Sequence, residues 1–217
     1  MTPAPLHPLA RLTGEEITAA RRIVAESGRT RIPVADLRFA YVGLCEPPKD
    51  LVRAFDEGAE VAVDRRVRIQ LLEGPEANVT EVIVSVTRGA VDLWREEADV
   101  RPGLQYEDAM ATLIALHEDP DWNAALARRG IQDTSLVQVD PWPAGTFGLD
   151  HETGRRIFRC LAYLRTAPDD NGYARPLEGL LAFVDGGRGE VLEVVDLGVV
   201  PFPPESGSYY LRPEGLK

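Results

Sequence analysis

Three histidines, His7, His117 and His151, are all the imidazoles this 217-residue chain has for acid–base or metal chemistry. A metal site wants two of them at a spacing such as i, i+2 or i, i+4, which turns both rings to one face. They fall instead in a proline-rich N-terminal arm, at the end of a helix pattern and in a loop. The two cysteines, Cys45 and Cys160, lie far apart without metal spacing and read as thiols packed in strands. A disulfide between them would need their backbones to meet. No G-x-S-x-G is present, so the α/β-hydrolase nucleophile signal is missing. Asp185-Gly186-Gly187-Arg188-Gly189 is glycine-rich but does not open a helix, as a phosphate cradle requires, and reads as a hairpin turn. The carboxylate pairs Glu15-Glu16, Glu96-Glu97 and Asp169-Asp170 fall at a helix start, a strand end and a turn, where capping and solvation account for them. Arg155, Arg156 and Arg159 have the chemistry to meet an anion, but such arginines more often line the outer face of a strand or pair with acidic neighbours, which this chain has in plenty. Catalytic, cofactor-binding and metal-ligating residues are therefore expected to be absent.

One aromatic stands out from this list. In "VDPWPAGTFG" (139–148), Trp142 sits between Pro141 and Pro143. Prolines remove backbone donors and fix φ, so the segment is expected to be neither helix nor strand. The ring either caps an internal core or is held out towards something else.

Net charge is −11, with 44% apolar and 27% charged residues, as in an ordinary globular protein. That charge argues against a nucleic-acid surface, which concentrates Lys and Arg. The start "MTPAPLHPLARL" lacks the apolar run of a signal peptide, and no window approaches the roughly 18 apolar residues of a membrane span. The expectation is a cytoplasmic protein with neither nucleic acid nor membrane as partner. Asn78-Val79-Thr80 matches a glycosylation sequon but lies inside a strand pattern.

The elements that must hold these residues follow one pattern twice. Thr13 and Glu16 form a capping box, and Ile17, Ala20, Ile23 and Val24 make an apolar helical stripe that Gly28 ends. Strand patterns follow at 37–44, 64–72, 81–87 and 90–96, with a short helical turn in "KDLVRAF" and a tight turn at Arg88-Gly89. "ADVRPGLQ" (98–105) is a polar breaker. Beyond it, Ala109, Met110, Leu113, Ile114 and His117 mark a second helix face. Asp119, Pro120 and Gly130 bound a third helix. Strand patterns return at 134–140, 155–166, 177–185 and 190–200. Short connections imply antiparallel sheets. The fold class is α+β, with two cystatin-like units, each a helix on a sheet of about four strands. Domains are expected at 1–98 and 99–203, with 204–217, rich in proline, as a linker. Ile17, Ala20 and Val24 should be buried in the first unit, and Met110, Leu113 and Ile114 in the second.

The order of certain segments adds a resemblance. "HPLARLTGEEITAARRIV" (7–24), "VDPWPAGTFG" (139–148), "GRRIFRCLAYLRT" (154–166) and "RPLEGLLAFVDGGRGEVLEVVDLGVVPFPPESGSYY" (175–210) resemble the N-terminal portion of copper-containing primary-amine oxidases. In that family, two cystatin-like domains, N2 and N3, precede a large catalytic β-sandwich. The family oxidises primary amines to aldehydes, releasing ammonia and hydrogen peroxide. Its topaquinone arises from a tyrosine in T-x-x-N-Y, and its copper is held by H-x-H and a distant histidine. Neither motif occurs here; Asn171-Gly172-Tyr173 is interrupted. The resemblance thus implies a non-catalytic region whose copper and topaquinone belong to the intact enzyme. Its implied partner is the catalytic domain of the same polypeptide, in a homodimer. It further implies that Trp142 and Tyr173, with the helix start near Tyr106, line a substrate entrance. For Trp142 the alternative of a core cap stays open. The alternative function is a stand-alone two-domain interaction module. A reading frame continuing past Lys217 with T-x-x-N-Y and H-x-H would separate the two.

Overall fold

The computed structural model describes residues 6–204 apart from 77, 149 and 203. The chain divides into two compact units, Met1–Pro102 and Gly103–Lys217. The linker expected at 204–217 lies almost wholly outside the described residues.

In the first unit, helix α1 (Gly14–Glu26) starts at the capping box: Glu16 N donates to Thr13 Oγ1 at 3.2 Å, and Thr13 N donates to Glu16 Oε2 at 2.8 Å. The helix is followed by β1 (Arg38–Cys45), the short α2 (Lys49–Asp56), then β2 (Arg66–Leu72), β3 (Asn78–Ser85) and β4 (Ala90–Ala98). The strands form an antiparallel sheet in the order β1-β2-β3-β4. Ala20, Ile23 and Val24 pack on Val67, Ile69, Leu71, Val82 and Val84. Ile17 does not join them: it is exposed. Beside it, Glu16 is held by Arg65 at 2.8 Å.

The second unit repeats the plan with two helices, α3 (Tyr106–Glu118) and α4 (Pro120–Arg128). Its sheet is β5 (Val137–Pro143), β6 (Ile157–Leu164), β7 (Pro176–Asp185) and β8 (Glu190–Asp196), antiparallel in the order β5-β6-β7-β8. Leu116, Trp122 and Leu126 pack on Phe158, Cys160, Ala162, Ala182 and Val184. Asp119 caps α4 as expected, accepting from Trp122 N at 2.8 Å, with Pro120 at the first helical position.

Two expectations are corrected here. The sheet-facing seam of α3 is Asp108, Thr112 and Leu116; Met110 and Ile114 are exposed and Leu113 is only half-buried. The seam is set by a buried ion pair. Arg156 precedes β6 with its guanidinium enclosed, and Asp108 meets it at 2.7 and 3.0 Å. Leaving that cation unpaired would cost several kcal/mol, so the helix turns its carboxylate inward and its apolar stripe outward.

The second correction concerns "DPWP", which is strand. Register pairs Asp140 with Leu161, Pro141 with Cys160, Trp142 with Arg159 and Pro143 with Phe158. β5 is an edge strand. Backbone groups along a strand alternate sides, and Ala144 N donates to Ile157 O across the pair. Residues 140, 142 and 144 therefore face β6. Pro141 and Pro143 turn their missing donors to the open edge, where an edge strand tolerates proline.

Candidate functional site: the outer face of the second sheet

With Val137, Val139, Cys160, Ala182 and Val194 turned to the core, alternation sends the intervening residues to the face that carries no helix. Strand register orders them into rows. One row is Trp142, Arg159, Phe183 and Glu193; the next is Asp140, Leu161, Leu181 and Val195; a third begins with Gln138 and Tyr163. Trp142 is 58% exposed. Leu161, Leu181, Phe183 and Val195 are half-buried.

The matching face of the first sheet is different. There Glu81 is gripped by Arg68 at 3.1 Å and by Arg95 at 2.7 Å, and Arg95 also reaches Glu97. These ion pairs run across the middle of a face that also carries Tyr41, Ile83 and Leu93.

Tyr173 joins Trp142 on the second sheet's outer face. The turn Asn171-Gly172-Tyr173 lies against β5 and β6: Gly172 N donates to Gln138 Oε1 at 3.0 Å. A Cβ on Gly172 would come within 2.7 Å of the Tyr163 Cβ, so only glycine lets the turn sit this close. The Tyr173 ring meets Tyr163 edge-on, centroids 5.0 Å apart. The Asp140 carboxylate nearby, ahead of burial, pushes its phenol pKa up. Tyr163 is raised as well, by burial and then by the charge of Asp140. Tyr173 remains 52% exposed.

Of the three residues singled out from sequence, Trp142 and Tyr173 share one face of the sheet and Tyr106 does not. Tyr106 is 76% exposed and opens α3, on the layer that packs against the other face of the sheet. Asp140, Gln138, Tyr163 and Gly172 were not anticipated. Asp140 stands inside the quoted proline segment, but its significance depends on a turn that sequence spacing does not place there.

The residues that might carry metal chemistry stay dispersed. His7 Nδ1 accepts from Leu9 N, so its Nε2–H donates to Asp56 at 3.0 Å. His117 and His151 are exposed in different elements. Among the described residues, no group of three or more His, Cys, Asp or Glu is placed to hold a metal ion. The side chains therefore do not fit a copper site. Cys160 is buried among apolar neighbours, which pushes its thiol up to about 12, and Cys45 is also free. Among the described residues, no helix is long and apolar enough to cross a membrane.

Comparison with known proteins matches these two units in order. Residues 13–93 match the AGAO-like N2 domain, and residues 107–214 match the N3 domain of copper amine oxidase. The histamine oxidase of Arthrobacter globiformis is 39% identical over 206 residues, covering 94% of this chain and 29% of that protein. The copper methylamine oxidase of Arthrobacter sp. strain P1 is 36% identical, with 94% and 30% covered. The chain thus spans about 30% of the length of the curated relatives it matches. A crystal structure of a copper-containing benzylamine oxidase from Hansenula polymorpha superimposes with a TM-score of 0.71 at 18% identity, over 89% of this chain and 30% of that one. At that identity the likeness speaks for the fold, and it agrees with the two helix-on-sheet units. Two domain matches in the family's order, over most of the chain, place it: the chain belongs to the copper amine oxidase family, as its N2 and N3 domains.

Proposed function

We propose that this chain is the non-catalytic N-terminal region of an enzyme that oxidises primary amines to aldehydes, with release of ammonia and hydrogen peroxide. In this reading the copper and the topaquinone belong to a catalytic domain elsewhere in the polypeptide. The outer face of the second sheet packs on that domain, and Trp142 and Tyr173 line the substrate entrance between them. Tyr106, on the other layer, is left out of the proposal.

The observation that carries the reading is the contrast between the two outer sheet faces. One chain ties Arg–Glu pairs across the first, beside Tyr41, Ile83 and Leu93, and leaves on the second an exposed tryptophan among half-buried leucines, valine and phenylalanine, with no ion pair on Arg159 or Asp140 among the described residues. A rimmed apolar face of this kind is a docking surface more often than a solvent face. Strand pairing holds Trp142 in place before any partner arrives, which lowers the ordering cost of docking.

Two measurements on the full-length protein test it. Amine-dependent peroxide release should appear with the full-length protein and not with residues 1–217 alone. Trp142→Ala should change KM and the ranking of bulky against small amines while the quinone still forms. An unchanged KM for both classes of amine would remove the entrance role. Hydrogen exchange on the β5–β7 face that is no slower in the full-length protein would remove the docking.

A further inference from the structure

We propose that Arg129 is the joint that sets the path by which the chain leaves the second unit, and that the apolar residues on this path, Leu197, Val199 and Val200, are a strip on which the following part of the same polypeptide docks. The inference rests on the reading that a catalytic domain lies elsewhere in the polypeptide. It adds to that reading a second contact and a positioning residue.

Three observations carry it. First, the exit from β8 is gripped by one buried side chain. The Arg129 guanidinium, just past α4, donates to Asp196 Oδ1 at 2.7 Å, to Gly198 O at 2.7 Å and to Gly179 O at 3.2 Å, and also to Ala125 O of the helix before it at 3.0 Å. Leu197 N donates to Gly179 O at 2.8 Å, which carries the β7–β8 pairing one residue past the strand. A Cβ on Gly179 would come within 2.9 Å of Gly198 O, so glycine, here at φ +72°, lets the exit lie this close.

Second, stability alone does not explain an arginine at this place. A buried cation seldom adds net stability over an apolar residue of similar volume, and Nε of Arg129 has no partner among the described residues. What a guanidinium adds is direction. Its planar fork holds a carboxylate of β8 and the carbonyls of β7 and of the exit at once.

Third, the segment so held is apolar and uncovered. Leu197 is 78% exposed, Val199 55% and Val200 42%. Beyond them Phe202 packs on the second core, with the Arg175 guanidinium 4.6 Å from its ring centre. The three residues are thus strung between two anchors. A segment fixed at both ends has lost its freedom before anything docks on it, which lowers the cost of docking.

The covalent path selects the partner. Residues 1–217 span about 30% of the length of the relatives they match, and the strip is the stretch by which the chain leaves its last sheet. A domain tethered a short way beyond it meets the strip at an effective concentration that no free partner reaches.

The test is maleimide labelling of Leu197→Cys and Val199→Cys, read at each position by peptide mass spectrometry, in the full-length protein and in residues 1–217. Labelling should be about tenfold slower in the full-length protein, as for a surface reached only by local opening. Adding Arg129→Met to the full-length protein should bring labelling close to the rate in residues 1–217, while hydrogen exchange in β6 and β7 stays as it was. Arg129→Lys keeps the charge without the fork and should act like Arg129→Met; full rescue by lysine would overturn the joint. Equal labelling of residues 1–217 and the full-length protein would overturn the strip. In that case, slower hydrogen exchange on the β5–β7 face of the full-length protein leaves the packing reading standing, and unchanged exchange there removes both. Slow labelling of residues 1–217 that speeds up on dilution would assign the strip to a second copy and overturn the proposal. Should Arg129→Met fail to fold, Gly179→Ala decides, because its Cβ displaces the exit at Gly198 O with Arg129 and Asp196 in place. Labelling of that variant as slow as in the unaltered full-length protein would overturn the joint.

Discussion

At the scale of single residues, the chain contains its own control for Trp142. Trp122, on α4, is 2% exposed and sits in the second core, whereas Trp142 stands outside it. Trp122→Ala is expected to cost about 3–5 kcal/mol in urea unfolding, the range for a buried aromatic. Trp142→Ala should cost about 1 kcal/mol or less, as for a surface position. Equal losses would mean that the Trp142 ring is structural after all. A second expectation concerns acid. Asp196 accepts from Arg129 at 2.7 Å and also from Arg128, and these bonds, with Gly198 N, hold its carboxyl below the usual carboxylate range. A carboxyl whose pKa is lower in the folded state stabilises the fold above its unfolded value, about pH 4. That contribution drains away as the pH falls below this value. Asp196→Asn should therefore lower the urea midpoint at pH 7, and its gap to the unaltered chain should narrow steadily below about pH 4. At this scale the sequence was legible where one residue's type decides its role. The capping pair Thr13 and Glu16 is an example, as is the Asp119 cap. Asp140 was not legible, because the two tyrosines near it come from β6 and a distant turn.

At the scale of elements, the two corrections share a cause. The stripe Met110, Leu113, Ile114 has good helical spacing, but spacing alone does not say which neighbour a face meets. The face that meets the sheet is decided by Arg156, which draws Asp108 inward. Likewise, prolines read locally as breakers, and only the position of β5 at the sheet edge makes them acceptable strand residues. The ion pair can be tested directly. Asp108→Leu or Arg156→Met alone should destabilise the chain by about 3–5 kcal/mol, since each strands a buried charge. The double variant should lose far less than the sum of the two. An additive double variant would show that the pair does not set the helix seam.

At the scale of the whole molecule, the α+β plan was readable because both signals that define it are local: period-two strands and short connections between them. The same locality bears on how the protein is made. Each sheet pairs its strands strictly in chain order, β1-β2-β3-β4 and then β5-β6-β7-β8. No strand waits for a partner encoded in the other half. On a ribosome delivering roughly 5–20 residues per second, the first sheet has every strand it needs before the second has begun to emerge. A chain ending at Pro102 should accordingly fold by itself, with one cooperative urea transition and a native near-ultraviolet spectrum. If it stays unfolded until the second half is supplied, the units are not independent. If it folds, the order of the strands lets the nascent chain bury its first apolar strands early, before they can meet the exposed surfaces of other unfinished chains.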